Sequence, residues 1–323
     1  MSLNPDVAVF LDLLQEGREA GRSQPFHEMT PDQARAEFER ASQGLDWPGP
    51  AGVTWQAFSG ASRDGDQLRL RLYRPASNAT TTSLPVVVYL HGGGFMVGSL
   101  DSHAAICREL AGRVGCAVLA VSYRLAPEYP FPTAVHDAED ALGWLAREGA
   151  ALQLDTARLI LAGDSAGATL ATVLASAPER LPLRPCLQAL FYPITDASRV
   201  SGSAQLFDEG YLLETATLEW FYQHYARTAE DRLDPRFSPL LRPDLAGATP
   251  TLLAIGGFDP LLDECLAYAE RLAQAGVAVT TLRLGGLPHD FLRLYTLSEE
   301  VERLYQQIAE CFTRAFAPLT PCA

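Results

Sequence analysis

The chain has 323 residues, 48% of them hydrophobic and 20% charged, with 25 Gly and 22 Pro, a balance of ordered globular proteins rather than fibrous or disordered ones. Its 39 acidic and 25 basic residues leave a formal charge of −14, and a surface field of that sign repels phosphate backbones and anionic lipid, so no nucleic-acid partner is expected. All 25 basic residues are arginine, which excludes Schiff-base and pyridoxal-phosphate enzymes, Walker-A nucleotide sites and Ser-x-x-Lys hydrolases, because each needs a lysine amine.

The N-terminal stretch MSLNPDVAVFLDLLQEG spaces its apolar residues like an amphipathic helix and carries acidic residues where a secretory leader needs basic ones, so a cytoplasmic protein is expected. No apolar run approaches the roughly 20 residues of a membrane span, and no stable membrane insertion is expected. Residues 1–48 read as charged helical sequence, and DWPGPAG marks the joint between these helices and the sheet. From Val53, WQAF and the strictly alternating QLRLRLYRP read as two antiparallel edge strands with one wet face. Then LPVVVYL, CAVLAVSY, RLILAGDS, LQALFYP, TLLAIGG and VAVTTLRL are short continuous apolar runs, as strands covered on both faces require. Helical periods lie between them and after the last, including SHAAICRELAGRVG, TAVHDAEDALGWLAREGA and LLDECLAYAERLAQAG. The prediction is a doubly wound α/β fold whose mostly parallel sheet has about eight strands. The segment 198–248 interrupts that alternation and is expected to pack with residues 1–48 as a helical cap over a catalytic domain formed by 49–197 and 249–323.

The six cysteines, Cys107, Cys116, Cys186, Cys265, Cys311 and Cys322, show neither C-x-x-C spacing nor a His/Cys cluster, so idle thiols are expected rather than zinc or disulfides.

Chemistry concentrates in three places. Gly163-Asp164-Ser165-Ala166-Gly167 lies between a strand and a helix, where a sharp turn exposes a serine hydroxyl at a helix N-terminus that favours developing negative charge. A small-residue turn with an N-capping serine would read the same way. His91-Gly92-Gly93-Gly94-Phe95 follows a strand and presents unhindered backbone N–H groups that can aim at an oxyanion. A dinucleotide loop is disfavoured there, since Val97 stands where G-x-G-x-x-G needs glycine, and a glycine turn of purely structural use is the other reading. An orienting carboxylate and a base must then follow the serine in that order, and Asp259 and His289 each follow a late strand of the sheet. Asp263 and Glu264 compete for the acid role but sit a turn into the next helix. Among the other histidines, His27 and His224 fall in the cap, His103 and His136 in helices, and His91 in the glycine loop.

In these motifs the sequence resembles the hormone-sensitive-lipase-like carboxylesterases of bacterial type. The resemblance spans about residues 50–315 and rests on HGGGF, GSLDSH, YRLAPEYPFPTAVHDAEDALGWL, GDSAG, FDPLLDE and HDF in that order. It implies an α/β-hydrolase with a helical cap, a triad of Ser165, Asp259 and His289, and an oxyanion hole from the amides of Gly93, Gly94 and Ala166, with Gly92 shaping the turn. It implies a small-molecule ester of short to medium acyl chain as substrate, two-step acyl transfer without metal or organic cofactor, and leans towards a homodimer. Arg124 and Glu128 match structural positions and are expected to form a buried pair anchoring their loop. Ala168 and Asp290 depart from the pattern, which has glycine at both, and Asp290 is expected to alter the base's loop and pH response. Phe95, Met96, Leu212 and Phe221 are the expected substrate contacts, within a set that also holds Phe207, Tyr211, Trp220 and Tyr225. Two other readings stay open: an amidase or peptidase on the same triad, and a non-catalytic ligand receptor on the same scaffold.

Overall fold

The computed structural model describes residues 2–75 and 83–317. Helices α1 (Pro5–Glu19) and α2 (Pro31–Gly44) come first, the second opened by a capping box in which Thr30 and Gln33 bond each other's backbone. Strands β1 (Thr54–Ala61) and β2 (Gln67–Arg74) form an antiparallel pair, and β2 buries Leu68, Leu70 and Leu72 while Gln67 and Arg69 stay wet. Period-2 burial of this kind is what alternation in QLRLRLYR demands.

The remaining strands are β3 (Leu84–Leu90), β4 (Ala117–Ser122), β5 (Leu154–Asp164), β6 (Leu187–Phe191), β7 (Thr251–Phe258) and β8 (Val279–Pro288). They form one eight-stranded sheet in the order β1-β2-β4-β3-β5-β6-β7-β8, parallel from β4 to β8. Every residue of β6 is buried, as expected for a strand covered on both faces, whereas edge strand β8 is half wet. The crossovers are α3 (Ala104–Val114), α4 (Thr133–Glu148) and α5 (Ala166–Ala175); after α6 (Gly202–Leu206) and α7 (Thr215–Tyr225) come α8 (Leu262–Gln274) and α9 (Glu299–Phe316). Helix α3 packs with α9, while α4 packs with α5, and α5 and α8 share the turn Pro239–Leu241, which gives a helical layer on each face. The doubly wound α/β fold predicted from the sequence is the one observed.

Helices α1, α2, α6 and α7 stand outside these layers. Arg18 at the end of α1 pairs with Glu214 just before α7, and His27 Nδ1 lies 3.1 Å from Thr217 Oγ1. At the base of α1, the Asn4 amide donates to the Gly286 carbonyl at 2.8 Å and its side chain donates to Ser298 Oγ at 3.1 Å.

Arg124 and Glu128 do not pair with each other. The Arg124 guanidinium forks onto buried Asp137 of α4, with Nη2 2.7 Å from Oδ1, and its Nη1 reaches Asp64 and Asp66. Glu128 sits at the surface and joins Arg35 of α2 instead, because α2 brings a second arginine to that loop. Cys107, Cys116, Cys186, Cys265 and Cys311 are free thiols, and Cys322 lies outside the described residues. Among the described residues no helix is long and apolar enough to cross a membrane.

Candidate active site

Ser165 sits between β5 and α5 with φ 49° and ψ −122°, a left-handed conformation that costs a non-glycine residue about 1–3 kcal/mol. Surrounding contacts hold it there: its amide donates to the Phe191 carbonyl at 2.8 Å, and the turn packs directly on the end of β3. The approach is so close that a Cβ on Gly167 would lie 2.0 Å from the Leu90 carbonyl oxygen and 2.4 Å from that of His91. The glycine in this motif is therefore a requirement of packing between the elbow and the HGGG loop.

Asp259 follows β7 and His289 follows β8. Asp259 Oδ2 lies 2.8 Å from His289 Nδ1, and His289 Nε2 lies 3.0 Å from Ser165 Oγ. The other Asp259 oxygen accepts the Leu261 amide at 2.8 Å, which fixes the carboxylate. An ionised carboxylate can only accept, so Nδ1 carries the proton and Nε2 is left to accept from the serine hydroxyl. Burial opposes a charge on His289, but the charge and hydrogen bond of Asp259, with Asp290 and Asp164 adding to them, carry its pKa above the ordinary value.

The rival carboxylates are engaged elsewhere. Asp263 accepts the Ser203 amide at 2.8 Å and so holds α6, while Glu264 accepts the amides of Thr195 and Asp196 at 2.7 and 3.1 Å. Burial pushes Glu264 up to about 8 in spite of those two hydrogen bonds.

The glycine loop is tied to the serine's own neighbour. Asp164 Oδ1 accepts the Gly92 amide at 3.0 Å and the Tyr89 hydroxyl at 2.7 Å, and His103 Nε2 lies 3.3 Å from its other oxygen. Burial would raise Asp164, but His103 and Tyr89 together hold it below the usual carboxylate value. With the Gly92 amide engaged, Gly93 (φ 113°) and Gly94 (φ 57°) turn the loop towards Ser165 and line the same cavity, and Ala166 opens α5 beside them.

That cavity measures about 230 Å³ and also exposes Ser165 and His289. Of the residues expected to touch substrate, Leu212 and Phe221 line it. Phe95 and Met96 do not: Phe95 stacks flat on Tyr225 with centroids 4.0 Å apart, and Met96 is fully buried with its carbonyl accepting from Arg35 Nε at 3.0 Å. Both are consumed by packing against α7 and α2, and Tyr211 likewise packs on Phe258. The sequence did not indicate the parts of the wall contributed by Phe10 and Leu14 of α1, Phe38 and Ala41 of α2, and Arg293. The i, i+4 spacing of Phe10 and Leu14 was the available signal, but Val7 and Leu11 of α1 share it and point into the core.

The alpha/beta hydrolase fold family matches residues 87–293. Ethyl acetate hydrolase of Pseudomonas putida is 46% identical over 96% of this chain and 98% of its own length. Carboxylic ester hydrolase LipN of Mycobacterium tuberculosis is 40% identical over 78% of this chain and 65% of its own. Among solved structures, an ester hydrolase from the metagenome of Lake Arreo, complexed with a bipyridine phosphonate derivative, superposes with a TM-score of 0.91 at 33% identity, covering 97% of this chain and 99% of that one. A thermostable esterase from Pseudomonas putida does so with a TM-score of 0.90 at 31% identity, covering 98% of each. The fold, the motifs and these relatives agree, and the chain belongs to the hormone-sensitive-lipase-like carboxylesterases of the α/β-hydrolase fold.

Proposed function

We propose that this carboxylesterase acts on esters of short to medium acyl chain through a serine acyl-enzyme, with Ser165 as nucleophile, His289 as base and acid, and Asp259 as its orienting carboxylate. The observation that carries the reading is the unbroken relay from Asp259 Oδ2 through His289 to Ser165 Oγ, at 2.8 and 3.0 Å, opening on a cavity. Ser165 Oγ adds to the ester carbonyl carbon as its proton passes to His289 Nε2, and Asp259 stabilises the imidazolium. The amides of Gly93, Gly94 and Ala166 receive the oxyanion in a site whose donors are already oriented. The tetrahedral adduct collapses, the alcohol leaves with the proton from Nε2, and a water deprotonated by the same nitrogen then hydrolyses the acyl-serine.

The modest size of the cavity, about 230 Å³ against the roughly 300–1,000 Å³ of sites for drug-sized ligands, supports short to medium chains. The relative named for ethyl acetate, at 46% identity, points the same way. Residues 1–48 and 198–248 serve as the cap that roofs this cavity, and the free thiols suit a reducing, cytoplasmic setting.

The test is hydrolysis of p-nitrophenyl esters from acetate to palmitate by wild type and Ser165→Ala. The wild-type rate is expected to peak at short chains and the variant to lose at least about 10³-fold. A variant of near wild-type rate would overturn the mechanism; a wild-type optimum at palmitate would overturn the chain length alone.

A further inference from the structure

Asp290 stands immediately after His289 in a left-handed turn (φ 61°), where glycine would be the unstrained choice, and it lines the cavity. Its partner is Arg293, only 4% exposed, whose Nη1 lies 3.4 Å from Asp290 Oδ2. The same guanidinium donates through Nη2 to Ser42 Oγ at 2.6 Å and lies over the Phe38 ring, 4.5 Å from its centroid. Ser42 and Phe38 both belong to α2, and Ser42 in turn donates to the Phe38 carbonyl. A continuous set of polar contacts therefore runs from the residue beside the base to a helix over the cavity. A buried arginine in a largely apolar wall needs an anion, and the carboxylate it meets there is the one next to His289.

We propose that Asp290 and Arg293 form a positioning pair for His289: Asp290 sets a second negative charge beside the imidazole, and Arg293 clamps that carboxylate and α2 together. The inference rests on His289 being the catalytic base. The charged and titratable groups facing His289 are Asp259 from the end of β7, Asp164 from the end of β5, Tyr192 just after β6, whose ring centroid lies 4.5 Å from that of the imidazole, and Asp290 itself; those facing Asp290 are Arg293, Asp164, His289, His103 and Tyr192. Burial pushes the Asp290 carboxyl up and Arg293 pulls it back, while Asp290 acts on His289 in the raising direction. Without Arg293 the carboxylate would lose its counter-charge, and without Asp290 the imidazolium would keep only its hydrogen-bonded partner Asp259 and the field of Asp164.

Asp290→Asn removes the charge and retains a side chain that tolerates the left-handed turn. The pH midpoint of the acid limb of kcat/KM is expected to fall by about half to one unit, with plateau kcat down roughly threefold to tenfold and KM nearly unchanged, because the imidazolium is stabilised less in the transition state. Asp290→Gly, which suits the turn without strain, should show the same displacement and guards against a folding defect in the first variant. Arg293→Lys keeps the charge but loses the fork, and should raise KM more than it lowers kcat as α2 loosens.

Midpoints unmoved in both Asp290 variants, at a folded-state content checked by thermal melting, would overturn the pair; a uniform drop in rate at every pH would assign Asp290 a structural role only. Active-site titration with an organophosphonate separates this from failure of the triad. A wild type that takes no label at Ser165 undoes the triad, whereas full labelling with unmoved midpoints undoes the pair alone.

Discussion

Ser165 keeps its left-handed backbone because the turn is wedged between β3 and α5, and Gly167 is the residue that lets the two approach. Gly167→Ala would place a methyl 2.0 Å from the Leu90 carbonyl oxygen, so either the elbow or the HGGG loop must move. Destabilisation of about 1–3 kcal/mol is expected in urea unfolding, with a loss in kcat exceeding the loss of folded protein, since the shift separates nucleophile from oxyanion donors. His289 gives a second expectation at this scale. Its pKa is raised, the neutral ring is the competent base, and so kcat/KM should climb through a midpoint above the ordinary value of 6.5. A midpoint at or below that value in the pH profile would contradict the field described around the ring. That Ser165, Asp259 and His289 come together could be read from the sequence, because each follows a strand at the carboxyl edge of the sheet, where the chain order fixes their neighbours. The expected pairing of Arg124 with Glu128 failed, because a surface carboxylate takes whichever arginine tertiary structure delivers, and the Arg35 that Glu128 meets comes from 93 residues away.

Between elements, the decisive contact is that of α7 with the glycine loop. A Cβ on Gly94 would fall 2.2 Å from the Phe221 ring, so the ring rests directly on the proposed oxyanion loop and bounds the cavity beside Ser165. Phe221→Ala should open that boundary and move the optimum in the p-nitrophenyl ester series to longer chains. Each methylene accommodated in the new space is worth about 0.8 kcal/mol, or roughly fourfold in kcat/KM. An unchanged optimum would place the acyl chain on the other side of the serine. The parallel strands were legible because burial on both faces leaves an unbroken apolar run, a signal needing no knowledge of partners. Which of the aromatic side chains face the cavity was not legible, since Phe95 and Phe221 differ only in what lies above them: Tyr225 covers one and the cavity the other.

For the molecule as a whole, buried charge sets the response to pH. Glu264, pushed up to about 8 from 4.5, stays protonated in the native state where the unfolded chain has released its proton. The native state then binds more protons across that window, so this group's contribution to stability falls as pH rises from about 4.5 towards 8. Glu264→Gln retains an oxygen to accept from Thr195 and Asp196 and removes the titration. Its melting temperature should vary less than that of the wild type between about pH 5 and 8, and a curve parallel to the wild type would show that Glu264 does not carry this dependence.

The contacts of the first helix also impose an order in time. Asn4 is held by Gly286 and Ser298, Arg18 by Glu214, and His27 by Thr217, partners lying 190 to 294 residues further along. A chain growing from its amino end on the ribosome therefore finishes β3, β4 and β5 while α1 still lacks its docking sites. The enclosure around the serine closes only after the chain has emerged as far as Ser298, so a nascent chain stalled before that point would carry the elbow with α1 undocked. Until then the apolar stripe of Val7 and Leu11 stays open to water and is exposed to association with other apolar surface during synthesis.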